Sequence, residues 1–204
     1  MTTQRKADLL LVLITGFWGC SYYLSDLALG EMPPFALCAM RFLLAFALLG
    51  IALFPKLRHI NRKTLLWAVP AGLSLTLTYI GATVGLLYTS ISNAGFICSL
   101  PAVTTPLLTF LLYRKKPERR MLLCLALCTV GLGLLTLGND FRPAPGDLIC
   151  LLCALGYGIN LLVVEHAVRQ PEVDALQLGV FQQLVTGAAM LVLSLLFEAP
   201  CLPQ

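Results

Sequence analysis

Apolar and polar positions alternate on a long scale in this chain: extended apolar runs are separated by short polar breaks. Seven runs, at 8–29, 34–54, 64–87, 91–113, 121–138, 147–167 and 175–197, are each near the ~20 residues a helix needs to cross a bilayer at 1.5 Å per residue. The breaks carry turn formers, as in Gly30-Glu31-Met32-Pro33-Pro34 and Arg142-Pro143-Ala144-Pro145-Gly146. The pattern predicts an all-α membrane protein with seven transmembrane helices.

Composition agrees with that pattern. Of 204 residues, 58% are hydrophobic and 12% charged, with a mean hydropathy of +0.86. Soluble domains carry about a quarter charged residues, so polar surface is too scarce here to cover a water-soluble fold. The formal net charge of +4 says less than where the charges sit. Arg5 and Lys6 precede the first run. Lys56, Arg58, Arg62 and Lys63 follow the second, Arg114, Lys115, Lys116, Arg119 and Arg120 the fourth, and Arg169 the sixth. The alternate breaks hold only Arg142. By the positive-inside rule the N-terminus is expected in the cytoplasm and the C-terminus outside. Trp67, Tyr88 and Tyr113 then fall near the interfaces. Basic clusters between spans suit a membrane surface, not a nucleic-acid groove.

Seven of the eight cysteines lie within apolar runs, where thiols act as small hydrophobes. Cys150 and Cys153 have metal-site spacing but no second pair or histidine near them in sequence, so packing is preferred and no cofactor is expected. The histidines, His59 and His166, are far apart, and no HExxH, GxSxG or Walker loop occurs. An enzyme is not expected.

The chain contains a partial repeat. Asp8-Leu9-Leu10 with Gly16-Phe17-Trp18-Gly19 matches Asp147-Leu148-Ile149 with Leu155-Gly156-Tyr157-Gly158 at one shared offset. Arg41-Phe42-Leu43 meets Gln182-Gln183-Leu184 at nearly the same offset. The first run also has the look of a signal peptide ending at Ala28-Leu29-Gly30. A cleaved signal would not recur in mid-chain, so the run is expected to be kept. The repeat unit holds five helices, an odd number, so the second copy enters the membrane upside down, as in many transporters. The division is 1–138, a complete five-helix unit, and 139–204, the first two helices of an inverted second unit. Nothing after Glu198 repeats helices three to five, so a C-terminally truncated protein is expected. Such a chain is either inert or active through a homodimer or a partner membrane protein.

The run Gly16-Phe17-Trp18-Gly19-Cys20-Ser21 carries a family resemblance, as do Pro34 with Arg41, and Ser92-Asn93-Ala94 through Ser99-Leu100-Pro101. Arg119-Arg120 through Gly131-Leu132-Gly133, and Gly146-Asp147, complete it. The sequence resembles the drug/metabolite transporter superfamily, in its EamA-like branch. The resemblance implies two inverted five-helix repeats and movement of small organic solutes (metabolites, amino acids or drugs) across the cell membrane by alternating access at a midplane site. It also implies that the first four helices of each repeat surround the cavity. Many members carry Glu after the fourth helix, where this chain has Arg114-Lys115.

Several residues are candidates for the solute site. Arg41 is the one charge well inside a predicted span, which its many apolar neighbours allow it to occupy; such charges face a cavity or a partner by default. Asp26 is the expected partner by depth, and snorkelling on a long stem is the alternative. Trp18 and its repeat mate Tyr157 fall at mid-bilayer, suited either to stacking on a solute or to helix packing beside Gly19 and Gly158. Pro101 and Pro106 are expected to kink the fourth helix near Thr104, Thr105, Ser99 and Asn93, whose polar groups line a cavity or satisfy the helix's own backbone. Asn160, Gln182 and Gln183 bind solute or bond between helices. Glu165 and His166 are expected to be solvated at the interface. A bound solute is expected among Trp18, Arg41, Tyr79, Pro101 and Tyr157, with Asn160 and Gln182 nearby.

Overall fold

The computed structural model describes residues 3–58, 60–113, 122–123, 126–127, 130 and 145–198. Its elements are α1 (Thr3–Leu29), α2 (Pro34–Ala52), a short α3 (Phe54–Leu57), α4 (Arg62–Leu86), α5 (Ile91–Ile97), α6 (Pro101–Tyr113), α7 (Pro145–Val168) and α8 (Ala175–Phe197). Among the described residues there is no strand.

Local chemistry sets the helix starts. Pro34 opens α2 at a position where its missing N–H costs nothing. The Asn61 side chain accepts from Lys63 N at the start of α4, and Ser90 accepts from Asn93 N at α5. Asp174 accepts from Gln177 N at α8. Each cap satisfies a backbone donor that the helix leaves open, typically worth about 1 kcal/mol.

Among the described residues, five helices are long and apolar enough to cross a bilayer: Asp8–Leu29, Pro34–Ala52, Arg62–Leu86, Pro145–Val168 and Ala175–Phe197. The fourth run, expected as one kinked helix over 91–113, is two helices with a break at Cys98–Leu100. Pro101 has no N–H to donate back into α5, and the chain tightens before it. Ser99 N and Leu100 N reach back three residues, to Phe96 O and Ile97 O, and Leu100 O then accepts from both Val103 and Thr104. Pro106 lies inside α6 without ending it. Of the fifth run, Leu122, Leu123, Ala126, Leu127 and Val130 are described, all helical; the rest of 121–138 lies outside the described residues, as do Tyr113's side chain, Arg142 and the 114–120 cluster.

Contacts establish how the helices run. Thr78 meets Gly156, Ala71 meets Asn160 and Trp67 meets Gln170, so α4 and α7 are antiparallel. Thr64 meets Asp174 and Gly72 meets Thr186, so α4 and α8 are parallel. The Glu198 carboxylate accepts from Phe35 N and Ala36 N while Phe46 stacks near Phe181, making α2 and α8 antiparallel. Leu29, at the end of α1, packs on the cluster that holds Leu86 and Cys150, near the start of α7, and Trp18 meets Tyr157 farther along. Thus α1 and α7 run in opposite directions, and so do α2 and α8. The breaks 53–61 and 169–174 meet at one end of the bundle, joined by Lys63–Glu172 at 2.6 Å and by Gln177 Nε2 donating to Lys56 O. This basic end holds Lys56, Arg58, Arg62, Lys63 and Arg169. His166 stacks beside Trp67, and Glu165 pairs with Arg169, both exposed near the same end.

The core centres on α4, half of whose span is buried (50%), whereas none of the α1 span is (0%). The α4–α7 seam is lined by small residues. A Cβ added at Gly156 would lie 2.7 Å from Thr78 N, and one at Gly81 would strike the backbone of Cys153. Such close approach replaces the hydrophobic drive that lipid does not supply between helices. The buried hydroxyls of Ser74, Thr76 and Thr78 donate to carbonyls one turn back in α4. Large apolar side chains such as Leu10, Ile51, Leu66 and Leu195 face outward, as lipid contact requires.

Candidate functional site

Between α1, α2, α4, α7 and the α5–α6 break lies a cavity of about 480 Å³. Its size is that of pockets that hold small organic ligands. Arg41, on the second turn of α2, projects into it. One terminal guanidinium nitrogen donates to Ser25 Oγ and the other to Ser21 Oγ, both at 2.7 Å. The guanidinium carbon sits 6.0 Å from the Tyr79 ring centroid, at the outer limit of a cation–π contact. Tyr79 is held in turn by Phe42, edge to face at 4.6 Å and 85°.

Arg41 is the one charged group among the described residues of the wall. Asp26, expected as its ion-pair partner, is not one; among the described residues the ion pairs are Lys63–Glu172 and Arg169–Glu165. Helix geometry accounts for the difference. Ser21 and Ser25 are one turn apart on a single face of α1, and Asp26 is turned about 100° away from Ser25. The charge therefore rests on two neutral hydroxyls. A central intramembrane Arg costs roughly 2.5–3.5 kcal/mol on insertion scales, which the two hydroxyls offset in part.

The aromatic walls come from both halves of the sequence. Trp18 meets Tyr157 edge to face, with centroids 5.6 Å apart at 64°. A Cβ on Gly19 would meet nothing within 4 Å, so Gly19 opens on the cavity, whereas Gly158 packs against Leu108 and Thr104. Among the described residues, the hydroxyls of Tyr79 and Tyr157 make no hydrogen bond, and both residues line the space. Cys98 and Ser99, inside the helix break, form another part of the wall.

Of the residues singled out from sequence, Trp18, Arg41, Tyr79, Ser99 and Tyr157 meet in this cavity. Pro101 is buried two residues beyond Ser99 and sets the break without lining the space. Asn160 lies in the α4–α7 seam, where its amide donates to Ala71 O at 2.8 Å and Ser74 Oγ at 3.2 Å. Gln182 is on the α8 side of α4, its Oε1 buried without a partner among the described residues, as is that of Gln183. Ser21, Ser25, Thr78 and Thr83 join the wall without having been singled out. The signal for the serines was present: Trp18, Ser21 and Ser25 fall on one face at helical spacing.

Among the described residues no three His, Cys, Asp or Glu side chains gather to hold a metal ion. Among the described residues, the arrangement is a chamber with one cation, two unpaired phenol hydroxyls and flat aromatic walls, bounded by a discontinuous helix.

The EamA-like transporter family model matches residues 5–137. An uncharacterized transporter of Archaeoglobus fulgidus is 32% identical over 163 residues, which is 80% of this chain and 50% of that protein. The chain thus spans about half the length of this curated relative. A solved crystal structure shares the fold with a TM-score of 0.62 at 23% identity, over 91% of this chain and 69% of its own. The chain is a multi-pass membrane protein, and it belongs to the EamA-like transporter family.

Proposed function

We propose that the chain carries small organic solutes (metabolites, amino acids or drugs) across the cell membrane by alternating access, with the cavity around Arg41 as the solute site. The observation that carries this reading is the chamber itself, walled by α1, α2, α4 and α7 and closed on one side by the break between α5 and α6. Discontinuous helices beside a midplane site are a recurring part of transporters.

The opposite directions of α1 and α7, and of α2 and α8, support division into a unit at 1–138 and an inverted one at 139–204. The gathering of Lys56, Arg58, Arg62, Lys63 and Arg169 at one end supports placing that end, and the N-terminus, in the cytoplasm. A second reading is that solute moves only when the chain pairs with a second copy or another membrane protein. It draws on α1, which has no buried residue among the described ones of its span although it forms a wall of the cavity.

The test is solute flux into liposomes holding the purified chain at graded density. Flux rising in proportion to protein density is expected of a self-sufficient chain, and flux rising as its square of a homodimer. Absence of saturable flux at every density, from protein that remains monodisperse, would remove the transport reading.

A further inference from the structure

We infer that the cavity selects organic anions: a small solute whose carboxylate or similar monoanionic head is held at Arg41, with an apolar body between Trp18, Tyr79 and Tyr157. This rests on the cavity being the solute site and adds the class of solute.

The wall is unbalanced in charge. Arg41 is its single charged group among the described residues, and its partners are the neutral Ser21 and Ser25. A guanidinium has five N–H donors; among the described residues two are engaged, which leaves three, one on each terminal nitrogen and one on Nε. The Tyr79 and Tyr157 hydroxyls add donors that meet no protein acceptor among the described residues. Acceptors on the wall are weaker. Thr15, Ser25, Thr78 and Ser99 already donate to carbonyls of their own helices, to Leu11, Ser21, Ser74 and Phe96. They offer lone pairs but no negative charge.

A cationic solute would meet Arg41 with no carboxylate on the wall to hold it. A neutral solute would leave the guanidinium short of acceptors inside a medium of low dielectric. An anion supplies the missing charge and the missing acceptors together. Ser21 and Ser25 fix the guanidinium from the α1 side, so the preference is built before the solute arrives. The rest of the wall, with Ala82, Leu86 and Ile91 beside the rings, suits an apolar body.

The test compares three probes with one body and different heads: 3-phenylpropionate, 3-phenylpropionamide and 3-phenylpropylamine. The chain holds two tryptophans, so Trp67→Phe leaves Trp18, on the cavity wall, as the sole tryptophan, and excitation at the red edge of its absorption, where tyrosine does not absorb, reads it alone. In phosphatidylcholine nanodiscs the acid is expected to bind at least tenfold tighter than the amide, with the amine weakest. Arg41→Gln is expected to bring the acid to the amide's affinity while leaving the amide within about twofold. Arg41→Lys is expected to keep the acid first.

Equal affinity for the three probes, or an acid affinity indifferent to Arg41→Gln, would overturn the anion inference and leave the cavity as a solute site. Failure of all three to bind would overturn both. Repetition in phosphatidylglycerol nanodiscs separates a soluble anion from a lipid headgroup. Retention of acid binding there is expected; its loss would mean that Arg41 serves anionic lipid and would overturn the assignment.

Discussion

Arg41 and Asn160 are both polar residues inside apolar spans, and the structure gives them different surroundings. Arg41 opens on the cavity; Asn160 is sealed in the seam between α4 and α7. Sequence marks such residues because each is costly in hydrocarbon, but both fates relieve that cost. Their partners were harder to read. Ser21 and Ser25 are inconspicuous because a hydroxyl in an apolar helix usually satisfies its own backbone, as Ser25 does while also accepting from Arg41. Two substitutions separate the roles. Asn160→Ala removes two interhelical bonds and is expected to cost roughly 1–2 kcal/mol of stability, read as a lower unfolding temperature in detergent, while solute affinity stays unchanged. Trp18→Ala is expected to do the reverse. Its ring is half exposed, so thermal stability should hold while solute affinity falls by about tenfold in equilibrium binding. An unchanged affinity in a well-folded protein would assign Trp18 to packing against Tyr157.

At the scale of elements, five spans were legible within a few residues because length and apolarity alone define them. The fourth run was not, since its apolar residues continue straight through the break and only Pro101 marks it. The seam between α4 and α7 was also out of reach of pattern reading. Which glycines touch depends on how two distant segments meet. Gly156→Val should therefore force the helices apart and give an aggregating protein on size-exclusion chromatography. Gly50→Ala, where an added Cβ meets nothing within 4 Å, should leave the fold intact and raise stability by up to about 1 kcal/mol. Equal behaviour of the two variants would mean that close approach in the seam is unimportant. The break makes its own prediction. Pro101→Ala restores one backbone donor and favours a continuous helix, so turnover is expected to drop severalfold with solute affinity kept within about twofold.

At the scale of the whole molecule, the distribution of Lys and Arg carries the orientation. Lys56, Arg58, Arg62 and Lys63 share one break while Arg169 lies in a distant one, and the meeting of the two breaks at one end follows from the alternating direction of the helices between them. An epitope inserted after Glu31 is expected to bind antibody on intact cells, and one inserted after Gln170 only after permeabilisation. The opposite result would invert the protein in the membrane. The cavity too is a property of the whole: Trp18 and Arg41 come from the first part of the chain, Tyr157 from the last, and no local pattern states that they meet. Recurrence of the Gly-aromatic-Gly pattern around Trp18 and Tyr157 was the one long-range hint.

The burial of α4 has a consequence for the order of events during synthesis. Thr64, Ser74 and Thr78 lie on faces that α7 and α8 cover, and both covering helices are translated long after α4. At about 5–20 residues per second, the ribosome needs on the order of 5–20 s to travel from Leu86 to Phe197. Through that interval the central helix sits in the bilayer with its small-residue groove open. Membrane chaperones or quality-control proteases that read hydroxyl-lined grooves would meet the nascent chain in that window. Nascent-chain crosslinking from Thr78 should then yield adducts with such factors up to the emergence of α7, and adducts within the chain afterwards.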